Sequence, residues 1–417
     1  MRVLAFISFV FLAAAALAED DPDAAALALA DKTEPKAEQP SDWRVLAEGA
    51  LIESKPRAGG PATHAQRLSL DAQYDTRLAP QWRAVFADRL DLAWRGAPSY
   101  DNVVNTLKEA YLSWQPGSDN IVDAGRVNLR NGVAAAYNPT DYFRAGAVRS
   151  VVSVLPASLR ENRLGTAMLR GQTLWSSGSA SALYAPKMSD QRSTSPFSPD
   201  FGATNNQDRW LIVVSQKLAG DISPQWLLYD EERGSPQLGV NLTALLNDAT
   251  VAHLEWSGGR SRSLIAQALA QPDDTAFRSR LATGLTVTFP NKLSVTAEYQ
   301  YNGAGLDDDR WDSLRRGPLG AFLQYRGFVQ NLQDLPTKEN LFFFARWQDV
   351  LIARLDISAL QRVSLADHSR LSFLETRYHW DRVDLALQWQ VNHGDATSEF
   401  GVIPQRRIWQ TLVTYFF

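Results

Sequence analysis

The stretch Val383-Asp384-Leu385-Ala386-Leu387-Gln388-Trp389-Gln390-Val391-Asn392 puts an apolar or aromatic residue at every odd number. Its even positions are mostly polar. Side chains alternate across a strand, so this segment carries one face for an apolar medium and one for water. Roughly ten residues is also the length of a tilted strand that crosses a bilayer. A soluble sandwich strand alternates in the same way, so its neighbours have to decide. Leu293, Val295, Ala297, Tyr299 and Tyr301 alternate with Ser294, Thr296, Glu298 and Gln300. Trp409, Thr411, Val413, Tyr415 and Phe417 alternate with Gln410, Leu412, Thr414 and Phe416, and Leu238 to Leu246 repeat the pattern opposite Gly239, Asn241 and Thr243.

Worked outward, the pattern predicts strands at 43–53, 66–76, 82–95, 104–114, 120–130, 164–176, 179–187, 208–218, 224–231, 237–247, 250–258, 277–289, 292–302, 339–348, 354–363, 370–380, 382–392 and 407–417. The expected fold is all-β: a closed antiparallel transmembrane barrel of about 18 strands, with 16 as the alternative. Parity, rather than its own alternation, brings in 43–53, since an even count keeps both ends of the barrel on one side. Connections alternate in length. Ser177-Gly178, Asp248-Ala249, Pro290-Asn291 and Asp381 mark tight turns, whereas 131–163, 188–207, 259–276 and 303–338 are long. Short periplasmic turns opposite long extracellular loops separate an outer-membrane barrel from a sandwich. On this topology Trp43, Trp82, Trp114, Trp175, Trp226, Trp347 and Trp380 fall near periplasmic strand ends, and Trp94, Trp210, Trp256, Trp389 and Trp409 toward outer ends. Two aromatic girdles at the membrane interfaces result.

Composition agrees. The 417 residues hold 42 Lys+Arg against 46 Asp+Glu, a net charge of −4, and no cysteine. A mean hydropathy of −0.25 beside 45% apolar residues is too polar for a bundle of spanning helices. The absence of a basic excess speaks against nucleic-acid binding. Without Cys there are no disulfides, thiolate metal sites or cysteine nucleophiles. Arg outnumbers Lys, 34 to 8. Residues 1–18 read as a cleaved signal peptide, with Arg2, an apolar core Val3–Leu12 and the small-residue site Ala16-Leu17-Ala18. Residues 19–41, lacking aromatics, read as a disordered periplasmic tail, and 42–417 as the barrel. The expected location is the outer membrane of a Gram-negative bacterium.

The ending Trp409-Gln410-Thr411-Leu412-Val413-Thr414-Tyr415-Phe416-Phe417 resembles the C-terminal signal read by the barrel-assembly machinery, which makes that machinery and outer-membrane lipid the implied partners. Gly125-Arg126, Gly132 and Tyr137-Asn138-Pro139-Thr140-Asp141-Tyr142-Phe143 resemble a Gly-Arg…Asn-Pro-Thr-Asp pattern of a poorly characterised, porin-like family of Gram-negative outer-membrane barrels. Trp175-Ser176 and Leu183-Tyr184-Ala185-Pro186-Lys187 fit the same family. The resemblance covers about 105–190 and the terminus, and implies a porin-like membrane protein without naming a substrate.

Candidate functional residues lie on the inward parity. Arg83, Arg89 and Asp91 share one face, Arg126, Asn128 and Arg130 another, and Arg170 with Gln172 a third; Arg209, Arg346 and Arg377 follow the same rule. Asp71, Glu109, Glu255, Glu298 and Asp384 supply opposite charge. Lumen charge sets selectivity, and the planar guanidinium fork suits carboxylate and phosphate. Such arginines either line a path for anionic or hydroxyl-rich solutes or cross-brace the wall, and the sequence leaves both open. Loop 131–163 is long enough to enter the lumen, and Arg126 with the turn Asn138, Pro139, Thr140 and Asp141 is expected to hold it against the wall. In loop 303–338, Asp307-Asp308-Asp309 cap one short helix and a second, apolar-rich one follows Pro318; 263–271 suggests a further small helix. The 303–338 loop has three open roles: constriction, lid, or packing on other loops.

Five His without metal-ligand spacing, and no Gly-x-Ser-x-Gly or P-loop, leave little for catalysis; His393-Gly394-Asp395 is the one loop pair of interest. The expected function is a porin-like channel without cofactor or metal, passing a polar, anionic or amphiphilic solute or serving as an outlet for an envelope polymer. The tail is a candidate dock for a periplasmic partner. A plugged anchor barrel and an outer-membrane hydrolase are the alternatives.

Overall fold

A computed structural model of the protein describes residues 42–95, 103–218 and 222–417. The expected signal peptide and tail lie outside the described residues. Eighteen strands follow in order: β1 (Trp43–Pro56), β2 (Thr63–Ala79), β3 (Trp82–Arg95), β4 (Val103–Trp114), β5 (Asn120–Val127), β6 (Thr166–Trp175), β7 (Gly178–Ala185), β8 (Arg209–Gln216), β9 (Ile222–Glu231), β10 (Gln237–Asn247), β11 (Thr250–Ser261), β12 (Ala276–Thr288), β13 (Leu293–Asn302), β14 (Glu339–Trp347), β15 (Leu355–Ser364), β16 (Arg370–His379), β17 (Val383–His393) and β18 (Gln405–Phe416). Each pairs antiparallel with the next, and β18 pairs back onto β1 from Phe416↔Leu46 to Gln405↔Pro56, which closes the ring. Closure leaves the ring without a free edge strand, as a lipid solvent demands. Among the described residues no helix is long and apolar enough to cross a membrane. The strands do the crossing.

The alternation read from the sequence is the wall's inside–outside code. On β2, Arg67, Ser69 and Asp71 are buried while Leu68 and Leu70 stay exposed. On β13, Thr296, Glu298, Gln300 and Asn302 turn inward beneath exposed Val295. The exposed set (Leu112, Leu169, Ile212, Leu228, Leu285, Leu387) is the lipid-facing band, so its exposure to an apolar medium carries no hydrophobic cost. Neighbouring Trp stack across strands, Trp82 on Trp114 with ring centroids 6.0 Å apart and Trp389 on Trp409 at 5.8 Å.

β1 runs on to Pro56 rather than 53 and β2 spans Thr63–Ala79 rather than 66–76, but the boundary whose correction bears on the site is that of β5. β5 stops at Val127 rather than at 130, because the chain leaves the wall there. Gly125 takes φ +137, where an added Cβ would run into the Ala110 carbonyl and Tyr111, and two residues later the backbone turns into the barrel. Asn128 and Arg130 therefore stand on the inturned loop and not on a strand.

The outer loops carry the helices α1 (Pro156–Glu161), α2 (Phe201–Thr204), α3 (Leu264–Ala268), α4 (Asp308–Arg316) and α5 (Leu319–Leu332). Asp307 caps α4 by accepting from the Arg310 amide at 3.1 Å. Loop 303–338 builds a core of its own with the loops beside it. Trp311, Phe322, Tyr325 and Val329 pack on Leu264 of α3 and on Leu306, and the Trp311 indole donates to Asp367 at 2.8 Å. Of the three roles open to that loop, packing on other loops is the arrangement seen.

Candidate functional site: a throat loop latched inside a charged wall

The β5–β6 loop, 128–165, crosses the lumen and is gripped by two carboxylates of the far wall. Glu255 of β11, fully buried, accepts five hydrogen bonds. Its Oε2 takes the amides of Val133 (3.0 Å) and Ala134 (3.1 Å) and the Asn138 side-chain amide (3.1 Å), while Oε1 takes the amide (2.7 Å) and hydroxyl (2.8 Å) of Thr140. Glu298 of β13 accepts the amides of Ala135 (2.7 Å) and Tyr137 (3.2 Å), with Gln300 at 2.6 Å and His253 at 3.2 Å completing its shell. A buried carboxylate is tolerable only when its lone pairs are met in this way. Asn138 also donates to the Ala134 carbonyl at 2.8 Å, tying the turn to the amides that precede it. The Asn-Pro-Thr segment is thus the loop half of a latch.

Two further clamps fix the loop. Asp141 faces Arg163 in a bidentate pair at 2.9 and 3.1 Å, both nearly fully buried, and Arg163 continues to Asn128 Oδ1 (2.9 Å) and the Leu129 carbonyl (2.6 Å). The outgoing and returning arms are stitched by that one guanidinium. Asp334, from loop 303–338, receives the Tyr137 hydroxyl at 2.7 Å and faces Arg280 at 3.3 Å and Arg144 at 3.6 Å. Burial opposes its ionisation, but Arg280, Arg144 and the hydrogen bonds from the Tyr137 hydroxyl and the Leu335 amide together hold its carboxyl below the usual range. At its far end the loop meets an apolar patch, where Val154, Leu155, Ala135 and Ala136 pack on Phe342 of β14, Leu360 of β15 and Phe373 of β16.

Below this collar the β14–β4 wall carries a chain of ion pairs. Arg346–Asp356 (3.0 Å), His379–Asp384 (3.1 Å), Arg377–Glu375 (3.0 Å) and Arg377–Asp384 (3.6 Å) lead to Glu48, which holds Arg67 (2.6 Å) and Arg89 (3.1 Å). Arg89 also meets Asp91 (3.0 Å) and Asp71 (3.6 Å), and Asp71 holds Lys108 at 2.7 Å. Arg170 pairs with Asp123 at 2.6 Å, and Arg83 with Asp75 at 2.5 Å near the periplasmic turn. The β10–β13 side below the latch is neutral, with Thr243, Thr286, Thr288, Ser294 and Thr296, of which Thr286–Thr296 and Thr288–Ser294 touch at 2.9 Å. The lumen therefore has one charge-braced flank and one hydroxyl flank.

Among the sequence candidates, Arg83, Arg89, Arg170, Arg346 and Arg377 sit in these pairs with Asp384, and Glu298 sits in the latch. Arg126 differs. It lies in register with Ala110 and Ala167, donates to the carbonyls of Gly165 (2.9 Å) and Pro199 (2.5 Å), and stacks over Phe201 at 4.9 Å. Arg209 is buried over the Phe143 ring at 4.7 Å with its Nε and one Nη unpartnered. Arg130 is exposed and makes no ion pair within 4 Å among the described residues. Arg362 of β15, half-buried above the Phe342 ring, belongs with these and carried no signal beyond its inward parity. Also missed were Glu48, Arg67, Lys108, Arg163 and Asp334. Lys108 was hidden by a bulge that breaks the β3–β4 register at Ala87/Asp88, and Asp334 by lying in a loop with no parity to read. His393 ends β17 at its outer side, next to the Gly394 carbonyl that Arg57 binds at 2.9 Å.

A closed barrel of 18 strands, apolar outside, ion-paired inside and narrowed by a latched loop, is a porin-like barrel of the outer membrane. Solved structures share the fold. OccAB1 of Acinetobacter baumannii superposes with a TM-score of 0.59 at 9% identity, over 92% of this chain and 99% of that one. OccAB3 of Acinetobacter baumannii gives 0.56 at 8% identity, and the outer membrane protein opdK from Pseudomonas aeruginosa 0.55 at 7%, each over 90% of this chain and 98% of its own. No protein-family model matches the sequence, and no curated protein does.

Proposed function

We propose that the barrel is a channel for small polar solutes whose bore is set by the β5–β6 loop. The observation that carries this reading is the latch. A loop that merely filled the lumen would not need two wall carboxylates, each fully provided with donors, to fix its height and azimuth. Selectivity is then modest and anionic. Most wall arginines are neutralised by a carboxylate within 4 Å, whereas among the described residues Arg126, Arg130, Arg209 and Arg362 have none and bias the lumen toward anions. The fold of OccAB1 and opdK supports the porin-like reading, while the solute class rests on the wall chemistry of this chain. Single-channel recording in planar bilayers tests it, the expected result being discrete steps with anions favoured over cations.

The contact of Val154 and Leu155 with Phe342 and Phe373 favours a second reading, a plugged barrel that serves as an anchor. The variant Val154→Ser/Leu155→Ser separates the two. If neither it nor the natural chain conducts, the channel reading fails.

A further inference from the structure

The wall is not strand-paired all the way up. β4 pairs with β5 only from Ala110 to Trp114, because β5 is eight residues long and its chain turns inward. From Val103 to Glu109 the side of β4 facing β6 meets loops instead. The Asn105 amide donates to the Pro196 carbonyl at 3.1 Å, and the Gly165 amide to the Leu107 carbonyl at 3.3 Å. Two guanidinium groups hold the rest. Arg149 donates to the carbonyls of Asn105 (2.8 Å), Ser195 (2.9 Å), Ser198 (3.1 Å) and Pro196 (3.3 Å), and Arg126 to those of Gly165 and Pro199. Asn205 anchors the same loop on the β7 side of β6, through both its side-chain atoms on Ala167 at 2.8 and 3.0 Å and through the Pro186 carbonyl at 2.9 Å. The β7–β8 loop is therefore a patch across a gap, fastened by side chains where a strand would use a ladder.

We propose that this seam between β4 and β6 is a lateral passage between the lumen and the outer leaflet for an anionic amphiphile, an apolar chain bearing a carboxylate or phosphate head. The proposal rests on the lumen being a solute path. Arg126 is 4% exposed, and among the described residues it has no ion pair within 4 Å; its charge is met by the Gly165 and Pro199 carbonyls, by the Phe201 ring and, beyond contact distance, by Asp200. An anionic head replaces those carbonyls with a charge-assisted bidentate contact, which is stronger, and in doing so frees residues 195–199 from the wall. The acids nearest this patch are hydrogen-bonded to amides and not ion-paired with Arg126 at contact distance, Asp88 accepting from Asn105 at 2.6 Å and Asp200 from the Ser193 amide at 2.8 Å. Apolar surface continues on both sides of the seam. Phe197 stands 67% exposed on the patching loop, and on the inturned loop Val151 is 59% exposed beside the Val154–Leu155 contact with Phe342 and Phe373.

The test uses the full chain in lipid vesicles that contain a twelve-carbon alkyl phosphate with a photoreactive chain end, with labelled positions mapped by mass spectrometry. Labelling of Val151–Leu155 is expected. It is expected to be lost when Asn105→Cys/Pro196→Cys is oxidised across the seam and to return on reduction. Equal inner labelling in the locked and reduced forms would overturn the passage. Excess inorganic phosphate is expected to leave labelling unchanged, and competition by it would mean a free-anion site instead. Should the cysteine pair not fold, Arg126→Gln decides: labelling by the alkyl phosphate is expected to disappear while that by the alkyl alcohol of equal length persists, and no difference between the two probes would overturn the proposal. Conductance measured on the same vesicles reports on the channel reading separately.

Discussion

Gly132 and Glu255 fit only each other: a Cβ at position 132 would lie 2.6 Å from both carboxylate oxygens of Glu255, in a backbone at φ +103. Glycine is required here on two counts, the left-handed conformation and the close approach of a charged group. Gly132→Ala is expected to weaken the latch by about 1–3 kcal/mol through backbone strain and displacement of the carboxylate. Glu255→Gln keeps the shape but turns one acceptor oxygen into a donor facing amides. Both variants are expected to show noisier single-channel currents and faster proteolysis between 131 and 142 while the barrel stays intact. Unchanged current noise in both would remove the latch from the account.

The Arg163–Asp141 pair is buried on both sides, so its halves are expected to behave unequally from a surface pair. Arg163→Met alone leaves Arg160, at 3.8 Å, as the one cation within 4 Å of Asp141 among the described residues, and is expected to cost on the order of 3–5 kcal/mol. The double variant Arg163→Met/Asp141→Leu is expected to recover part of that loss. Chemical denaturation read at the loop checks the cycle, and strict additivity would show that the two groups do not act as a unit.

Acid should release the loop from one side first. The folded state depresses the Asp334 pKa, so its stabilising contribution is complete above the unfolded value of about 4 and disappears as pH falls through the folded value. Current noise is therefore expected to stay flat between about pH 8 and 5 and to rise only below about 4. Asp334→Asn should show the acid phenotype at neutral pH. An onset near pH 6 would point to a different group.

Charge reversal at free and paired arginines should differ. Arg130→Glu and Arg362→Glu are expected to move the reversal potential of a salt gradient toward cation preference, whereas Arg346→Gln, which leaves Asp356 with His379 at 3.6 Å, is expected to move it less. A larger shift from Arg346→Gln than from Arg130→Glu would mean that the ion-paired flank, rather than the free cations, sets selectivity.

Much of the wall was legible because period two survives burial: Asp384, Ala386 and Gln388 face the lumen where the alternation of 383–392 puts them. Two things broke that code. At β5 a pattern that still alternates through Asn128 and Arg130 continues past the point where Gly125 bends the chain inward, so the sequence overran the strand. At Lys108 one bulged residue shifted the parity of everything outward of it. Site geometry was legible only in part. The Asn138–Asp141 turn stands out as a turn, but its partners do not, since Glu255 and Glu298 look like any inward carboxylates until the backbone amides of another loop are placed against them.

The latch also has a consequence for how the protein is built. The amides of Val133–Thr140 and the carboxylates that receive them are 115 to 163 residues apart along the chain. None of these contacts can form until β11 and β13 stand in the wall, and contacts so distant in sequence form slowly. The loop is thus expected to be latched late, after the strands that carry its carboxylates have paired.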